Sequence, residues 1–391
     1  MIVTFLRDFA YALRGFMRTP TFTLVIVVTL ALGVGANTAV FSLVNGLLLK
    51  PLPYPESDRL VMVWNDNRRA GIPRDGSALA NLADYRRDSH SFREIGAFAP
   101  IPLIFTGAGE AMTVNTVFVT SEFIPVLGVQ PLLGRSFSPE EGRPGAGNVC
   151  VLSHRFWQQY TGGDLHIIGK RLEFSHRRYT VVGVMPPGFE FPPGADVWIN
   201  VTAYFGESKY YVERSRTFFS AIGRLRPGVS LASARSEMTA IAARLEHEYV
   251  DDEGYGVLLV PLREEYFGEI GALLRLVLAA AGFTLLIACV NLASLLLARG
   301  AARQRELAVR VALGASRARL VAQLLTETLA LVLFGGLAGV MLASLALKLF
   351  VAVNPFGIWR LDQVTVDGRV LGFACLVSAG IGALFGLMPA L

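Results

Sequence analysis

The sequence predicts an α-helical membrane bundle of four transmembrane helices, with a large α+β domain inserted in the outer loop between helices one and two. Three observations predict it. Of the 391 residues, 53% are hydrophobic and only 17% charged, against about 25% charged in an ordinary soluble domain. The apolar surplus is gathered into four charge-free runs, residues 19–49, 276–298, 328–347 and 370–391. Each is as long as the roughly 20 residues a helix needs to cross the hydrocarbon core. Finally, residues 50–275, between the first two runs, hold most of the charge and are numerous enough to bury a core of their own. A disordered chain, which needs low hydrophobicity and high net charge, is excluded.

Charge placement orients the bundle. The formal net charge is +5, and its excess lies in two short segments. Arg7, Arg14 and Arg18 face only Asp8 before the first run, and six arginines face Glu306 and Glu327 between the second and third runs. Short basic loops stay on the cytoplasmic side. The N-terminus and the 299–320 loop are therefore expected inside and the large insert outside. Nucleic-acid binding would need a basic stripe interleaved with aromatics on a soluble face, and none is present. Of Cys150, Cys289 and Cys375 only Cys150 lies in the insert, so no disulfide framework is expected.

In chain order, residues 1–19 read as a cytoplasmic amphipathic helix. Phe5, Leu6, Phe9, Leu13, Phe16 and Met17 share one face, and Arg7, Asp8, Arg14 and Arg18 share the other. Such a helix lies among lipid headgroups, which makes membrane lipid a partner. The apolar run behind it is too long for a cleaved signal peptide. Residues 20–49 form the first spanning helix, entered through Thr19 and Pro20. The outer domain, 50–271, opens on Pro51, Pro53 and Pro55. Strands are expected at 60–64, 113–120, 179–185 and 257–260, with helices at 79–92 and 231–249. The second of these helices has Leu231, Ala234, Met238, Ile241, Ala242, Leu245 and Tyr249 at period 3.6. Residues 272–391 supply helices at 272–298, 321–347 and 370–391. The last run ends flush with Leu391, which predicts that the sequence is the front part of something longer.

Catalytic and metal chemistry find no footing in the pattern. Residues 164–171 (DLHIIGKR) lack the first Gly and the final Ser or Thr of a phosphate loop. His247 and Glu248 open a zinc-protease-like string whose second ligand position holds Asp251 instead of His. Within the apolar runs, Asn37, Asn45 and Asn291 are expected to hydrogen-bond between helices, and Gly335/Gly339 and Gly382/Gly386 have the four-residue spacing that permits close helix packing. Glu327, beside the third run, is expected to pair with a loop arginine. The inner loop carries Leu307, Val309, Val311, Ala312 and Leu313 up to a helix-terminating Gly314. A short apolar knob flanked by Arg and Glu suits a groove on a soluble partner. The alternative is a plain loop held by lipid charge.

Residues 304–315 (QRELAVRVALGA) and 323–328 (QLLTET) resemble the FtsX-type permease signature of MacB-like ABC transporters. Residues 5–18, 21–49 and 51–60 (PLPYPESDRL) are similar to one half of the acidobacterial-type duplicated permeases of that group. Residues 117–134, 153–159 (SHRFWQQ) and 181–191 (VVGVMPPGFEF) resemble the MacB-type periplasmic core domain. The resemblance implies a bacterial plasma-membrane permease whose outer domain is periplasmic and which is not itself an enzyme. No cofactor is implied in this chain, and ATP belongs to a cytoplasmic ABC ATPase subunit gripping the inner loop. Arg305, Glu306, Arg310, Leu313, Gly314 and Ala315 would form the coupling element, with Glu327 at its membrane exit. Further implied partners are a second permease half or a homodimer mate, and a periplasmic or outer-membrane protein. The rival expectation is an FtsX-like, membrane-anchored regulator of an envelope protein that transports nothing.

Overall fold

A computed structural model describes residues 14, 16–107, 110–143, 145–205, 212–302, 312, 317–354 and 357–387. They fall into two compact units, one of Pro51–Tyr266 and one of Met1–Lys50 with Phe267–Leu391.

The membrane unit starts with helix α1, Pro20–Leu43, whose end loosens into a π-helical turn, Val44–Leu49. Of residues 1–19 only Arg14 and 16–19 are described. Phe16 is buried in the same apolar cluster as Ile26, Leu30 and Val34 of α1. The stretches Pro20–Leu49, Leu262–Leu295 and Leu325–Val353 are each long and apolar enough to cross a membrane. The fourth expected span is a helix, Gly368–Leu387, apolar along the part whose side chains are described, Gly368–Ala383.

The soluble unit is built on a sheet of thirteen strands among the described residues. Strand β1, Leu60–Asn67, lies near one end, between β12, Ser220–Leu225, and β13, Tyr255–Pro261, and is antiparallel to both. Beyond β12 follow β3, Phe92–Pro100, β6, Thr116–Val119, β11, Val197–Asn200, β8, Val149–Leu152, and β10, Arg177–Val184. Helix α2, Leu79–Asp88, and the longer α6, Leu231–Glu248, lay Leu79, Leu82, Tyr85, Ala234, Met238, Ile241 and Leu245 into one core with the sheet. The short helices α3, Phe123–Leu127, α4, His154–Thr161, and α5, Val201–Phe205, lie between them in sequence. Ser230 caps α6 by accepting the Ser233 N–H, which satisfies one of the orphan donors of the first turn.

The first expected helix of this unit runs too far. It stops at Asp88, Ser89 is already extended, and Phe92 opens β3. The periodic residues of 79–85 were prolonged by a Phe that faces the core from a strand. Strands β3, β8, β11 and β12 were not foreseen. All four residues of β8 and of β11 are buried. A short run buried on both faces has no alternation to separate it from a helix segment.

Three long helices complete the chain: α7, Leu262–Ala302, α8, Arg317–Val353, and α9, Gly368–Leu387. The first two reach well past the charge-free runs 276–298 and 328–347. Charge marks where hydrocarbon ends, whereas backbone hydrogen bonding continues through flanking residues of good helix propensity.

Candidate functional sites

Among the described residues of the membrane unit, α1 and α8 cross in backbone contact. A side chain built on Gly35 would bring its Cβ to 3.0 Å from the Gly339 carbonyl oxygen. One built on Gly339 would meet the Ala31 oxygen, the Gly35 nitrogen and Val34 Cβ, each at 3.1 Å. On Gly335 it would reach 2.5 Å from Leu30 Cβ. Gly339 thus sits against Ala31 and Gly35, a second small pair at four-residue spacing that the sequence reading passed over, and Gly335 sits against Leu30. A stretch with Gly33, Gly35 and Ala36 offers several such pairs, and composition does not choose among them. Gly382 packs α9 on α8, its Cβ position lying 3.2 Å from Leu329 Cδ2. Gly386 lies in the last turns of α9, and its surroundings fall outside the described residues.

Asn37 ties α1 to α7. Its side chain is 4% exposed, and its Nδ2 donates to the Gly33 oxygen and to the Ala281 oxygen of α7, both at 2.9 Å. Asn291, by contrast, is exposed on α7. Asn45, 1% exposed in the π-helical turn, donates to Asp367 Oδ2 at 3.1 Å, and Lys50 Nζ lies 2.9 Å from the same oxygen. Asp367 Oδ1 accepts the backbone N–H groups of Arg369 and Val370 and so caps α9. The Lys50 ammonium, helped by the Val370 N–H, holds the Asp367 carboxyl at about 2.

A depressed folded value stabilises above the ordinary carboxyl pKa near 3.8 and is lost as the carboxyl protonates on the way down to about 2. Acid unfolding in neutral detergent is therefore expected to be less steep between about pH 4 and pH 2 in Asp367→Asn than in the parent. Identical acid profiles would contradict the Lys50–Asp367 clip.

The expected coupling residues Arg305, Glu306, Arg310, Leu313, Gly314 and Ala315 lie outside the described residues. Glu327 is half-buried in α8 between the buried Thr326 and Thr328. The loop arginines expected to pair with it are outside the described side chains. His247 and Glu248 are exposed on the last turn of α6.

The soluble unit holds a cluster that sequence reading missed. Arg214 donates from Nη2 to Asp84 Oδ2 at 2.5 Å, and from Nη1 to Asn81 Oδ1 at 2.9 Å and Asp252 Oδ2 at 3.3 Å. Asn81 Nδ2 donates to Asp252 Oδ1 at 2.6 Å, and the guanidinium stacks 3.5 Å from the centre of the Tyr249 ring. Burial pushes the Asp252 carboxyl up, against the pull of Asn81 and Arg214, and drives the Tyr85 hydroxyl well above its usual range. Every charged group in the cluster has a partner. The arrangement can tie the segment around Arg214 to α2 and to the turn after α6, and it offers no free nucleophile. Only the fold unites residues so far apart in sequence.

The family model of the MacB-like periplasmic core domain matches residues 23–241, and that of the FtsX-like permease C-terminal region matches residues 278–391. The first alone covers more than half of the chain. The chain belongs to the MacB-like family. The macrolide export ATP-binding/permease protein MacB of Burkholderia thailandensis is 26% identical over 351 residues, 86% of this chain and 49% of that one. MacB of Agrobacterium fabrum is 22% identical over 361 residues, 92% of this chain and 53% of that one. The chain thus spans about half the length of the curated MacB relatives it matches. The crystal structure of the periplasmic region of MacB from Actinobacillus actinomycetemcomitans is similar at a TM-score of 0.42 and 11% identity, covering 55% of this chain and 93% of that one. Along this chain the core-domain match precedes the permease match. This MacB-like chain is a multi-pass membrane protein.

Proposed function

We propose that this chain is the permease subunit of an ABC-type transporter in a bacterial inner membrane, passing ATP-driven motion from a cytoplasmic ATPase to its periplasmic domain. The observation that carries the reading is the match to both family models in order along one chain, a periplasmic core domain and then an FtsX-like permease region. The excess of arginine in the short loops supports the orientation, with the N-terminus and the 299–320 loop inside. In this reading the inner loop is gripped by the ATPase. Arg305, Glu306 and Arg310 offer charge, Leu313 an apolar anchor, and Gly314 with Ala315 a turn. Both helices flanking that loop are braced on α1, α8 through Gly335 and Gly339 and α7 through Asn37. A pull on the loop is then felt by the whole bundle. A second permease half or a second copy completes the membrane part, and a periplasmic or outer-membrane partner receives the motion for export of a substrate.

The test is co-purification. Glu306→Lys and Leu313→Asp are each expected to lower the amount of ATPase retained on the affinity-captured full chain by about tenfold, the effect of removing one anchoring side chain from an interface. Retention unchanged in both variants contradicts the coupling role.

A further inference from the structure

We infer that a cleft in the soluble unit, beside the N-terminal end of β3, is a binding site for a small zwitterion, an amino acid or a short peptide. The cleft measures about 350 Å³, within the usual range for small-molecule sites. Its floor is Arg224 of β12, 5% exposed. This guanidinium is fixed from two sides, Nε donating to the Val126 oxygen and Nη1 to the Pro55 oxygen, both at 2.7 Å. Its Nη2 is buried and has no acceptor. A buried charged donor without an acceptor is costly and rare, and an oxyanion brought close to it is favoured.

Two further charges line the same cleft. Arg93 is exposed, Glu94 is half-buried and sits directly across from Arg224 in the β3–β12 register, and neither side chain has a hydrogen-bond or ion-pair partner among the described residues. Glu56, also at the rim, is engaged by Arg59 at 2.9 Å and pairs more loosely with Arg224 Nη1, at 3.9 Å, which leaves Nη2 without an acceptor. The unengaged groups are thus two guanidinium edges and one carboxylate. A carboxylate on Arg93, drawn over the Arg224 guanidinium by its charge, with its ammonium group on Glu94, answers all three. Gly128, which ends α3 with φ +69°, is the cover over Nη2. A Cβ at Gly128 would lie 3.3 Å from Nη2, so the absence of a side chain keeps the layer over this charge thin. Pro55, Pro125 and Val129 supply apolar walls.

The probe is glycylglycine, titrated by calorimetry into the full chain in uncharged detergent, with N-acetylglycine, glycinamide and inorganic phosphate as comparisons. Saturable binding of glycylglycine with Kd near or below about 1 mM is expected, which about nine heavy atoms can supply. N-acetylglycine should bind about tenfold more weakly, and glycinamide not measurably. Arg224→Gln is a poor test because it also frees two buried carbonyls. Arg93→Gln should weaken both glycylglycine and N-acetylglycine about tenfold, Glu94→Gln should weaken glycylglycine alone, and Val129→Trp should block the cleft while leaving every hydrogen bond named above intact. No saturation by glycylglycine, equal binding in the three variants, or phosphate binding as tight as glycylglycine would each overturn the assignment.

Discussion

Replacing Gly339 with leucine is expected to cost the membrane unit about 3 kcal/mol or more, enough to leave much of it unfolded, because overpacking by several methylenes exceeds what a close-packed interface absorbs. The position has no room. A single Cβ would already stand 3.1 Å from two backbone atoms of α1 and from Val34 Cβ. Backbone cannot swing aside as a side-chain tip can, so α1 and α8 have to separate. Separation exposes Leu30, Ala31 and Val34, all buried there. Gly282→Leu on α7 is the matched control, since nothing lies within 4 Å of its Cβ position and leucine has the better helix propensity. Unfolding by sodium dodecyl sulfate, followed by circular dichroism, separates the two. Gly339→Leu should lose its transition or shift it strongly, and Gly282→Leu should unfold with the parent. Parent-like behaviour of Gly339→Leu would show that α1 and α8 are not in backbone contact.

Arg214→Met is expected to destabilise the soluble unit by about 3–5 kcal/mol, the cost of breaking a buried ion pair from one side. The guanidinium holds Asp84 and Asp252, whose side chains are 7% and 5% exposed. Without it two carboxylates share a dry site, with only Arg87, at 2.7 Å from Asp84 Oδ1, outside it. The size of the loss belongs to those uncompensated charges rather than to the missing packing. Adding Asp84→Asn and Asp252→Asn to Arg214→Met should therefore recover a substantial part of the loss. Urea unfolding followed through Trp64, Trp157 and Trp198 of the soluble unit measures both. A triple variant no more stable than Arg214→Met alone would show that packing over Tyr249, and not charge, sets the cost.

Both sites show where sequence reading ends. The apolar runs were legible because hydrocarbon thickness imposes a length that no soluble element imitates, and α6 because six residues from Leu231 to Leu245 keep one face over four turns. Gly335 and Gly339 could be proposed from spacing, but their partners Leu30, Ala31 and Gly35 could not, since spacing does not name the facing helix. Strands β8 and β11 are buried on both faces and carry no alternation. Arg214, Asn81, Asp84 and Asp252 are each ordinary surface-type residues until the fold brings them together. The same holds for Arg224, Arg93 and Glu94, where one partner lies far along the chain and only the antiparallel register of β3 with β12 makes them neighbours. The arginine-rich loop points the other way. Its chemistry is readable in the string 304–315, while its geometry lies outside the described residues.

Motion made on one side of a bilayer and spent on the other requires the soluble unit to face away from the ATPase. Val250, 86% exposed in that unit, is the place to ask. In a chain with Cys150, Cys289 and Cys375 replaced by alanine, Val250→Cys is treated with a membrane-impermeant maleimide on intact spheroplasts and again after lysis. The account expects full labelling before lysis and no gain after it. Labelling that appears only once the membrane is broken would place the unit in the cytosol and contradict the account.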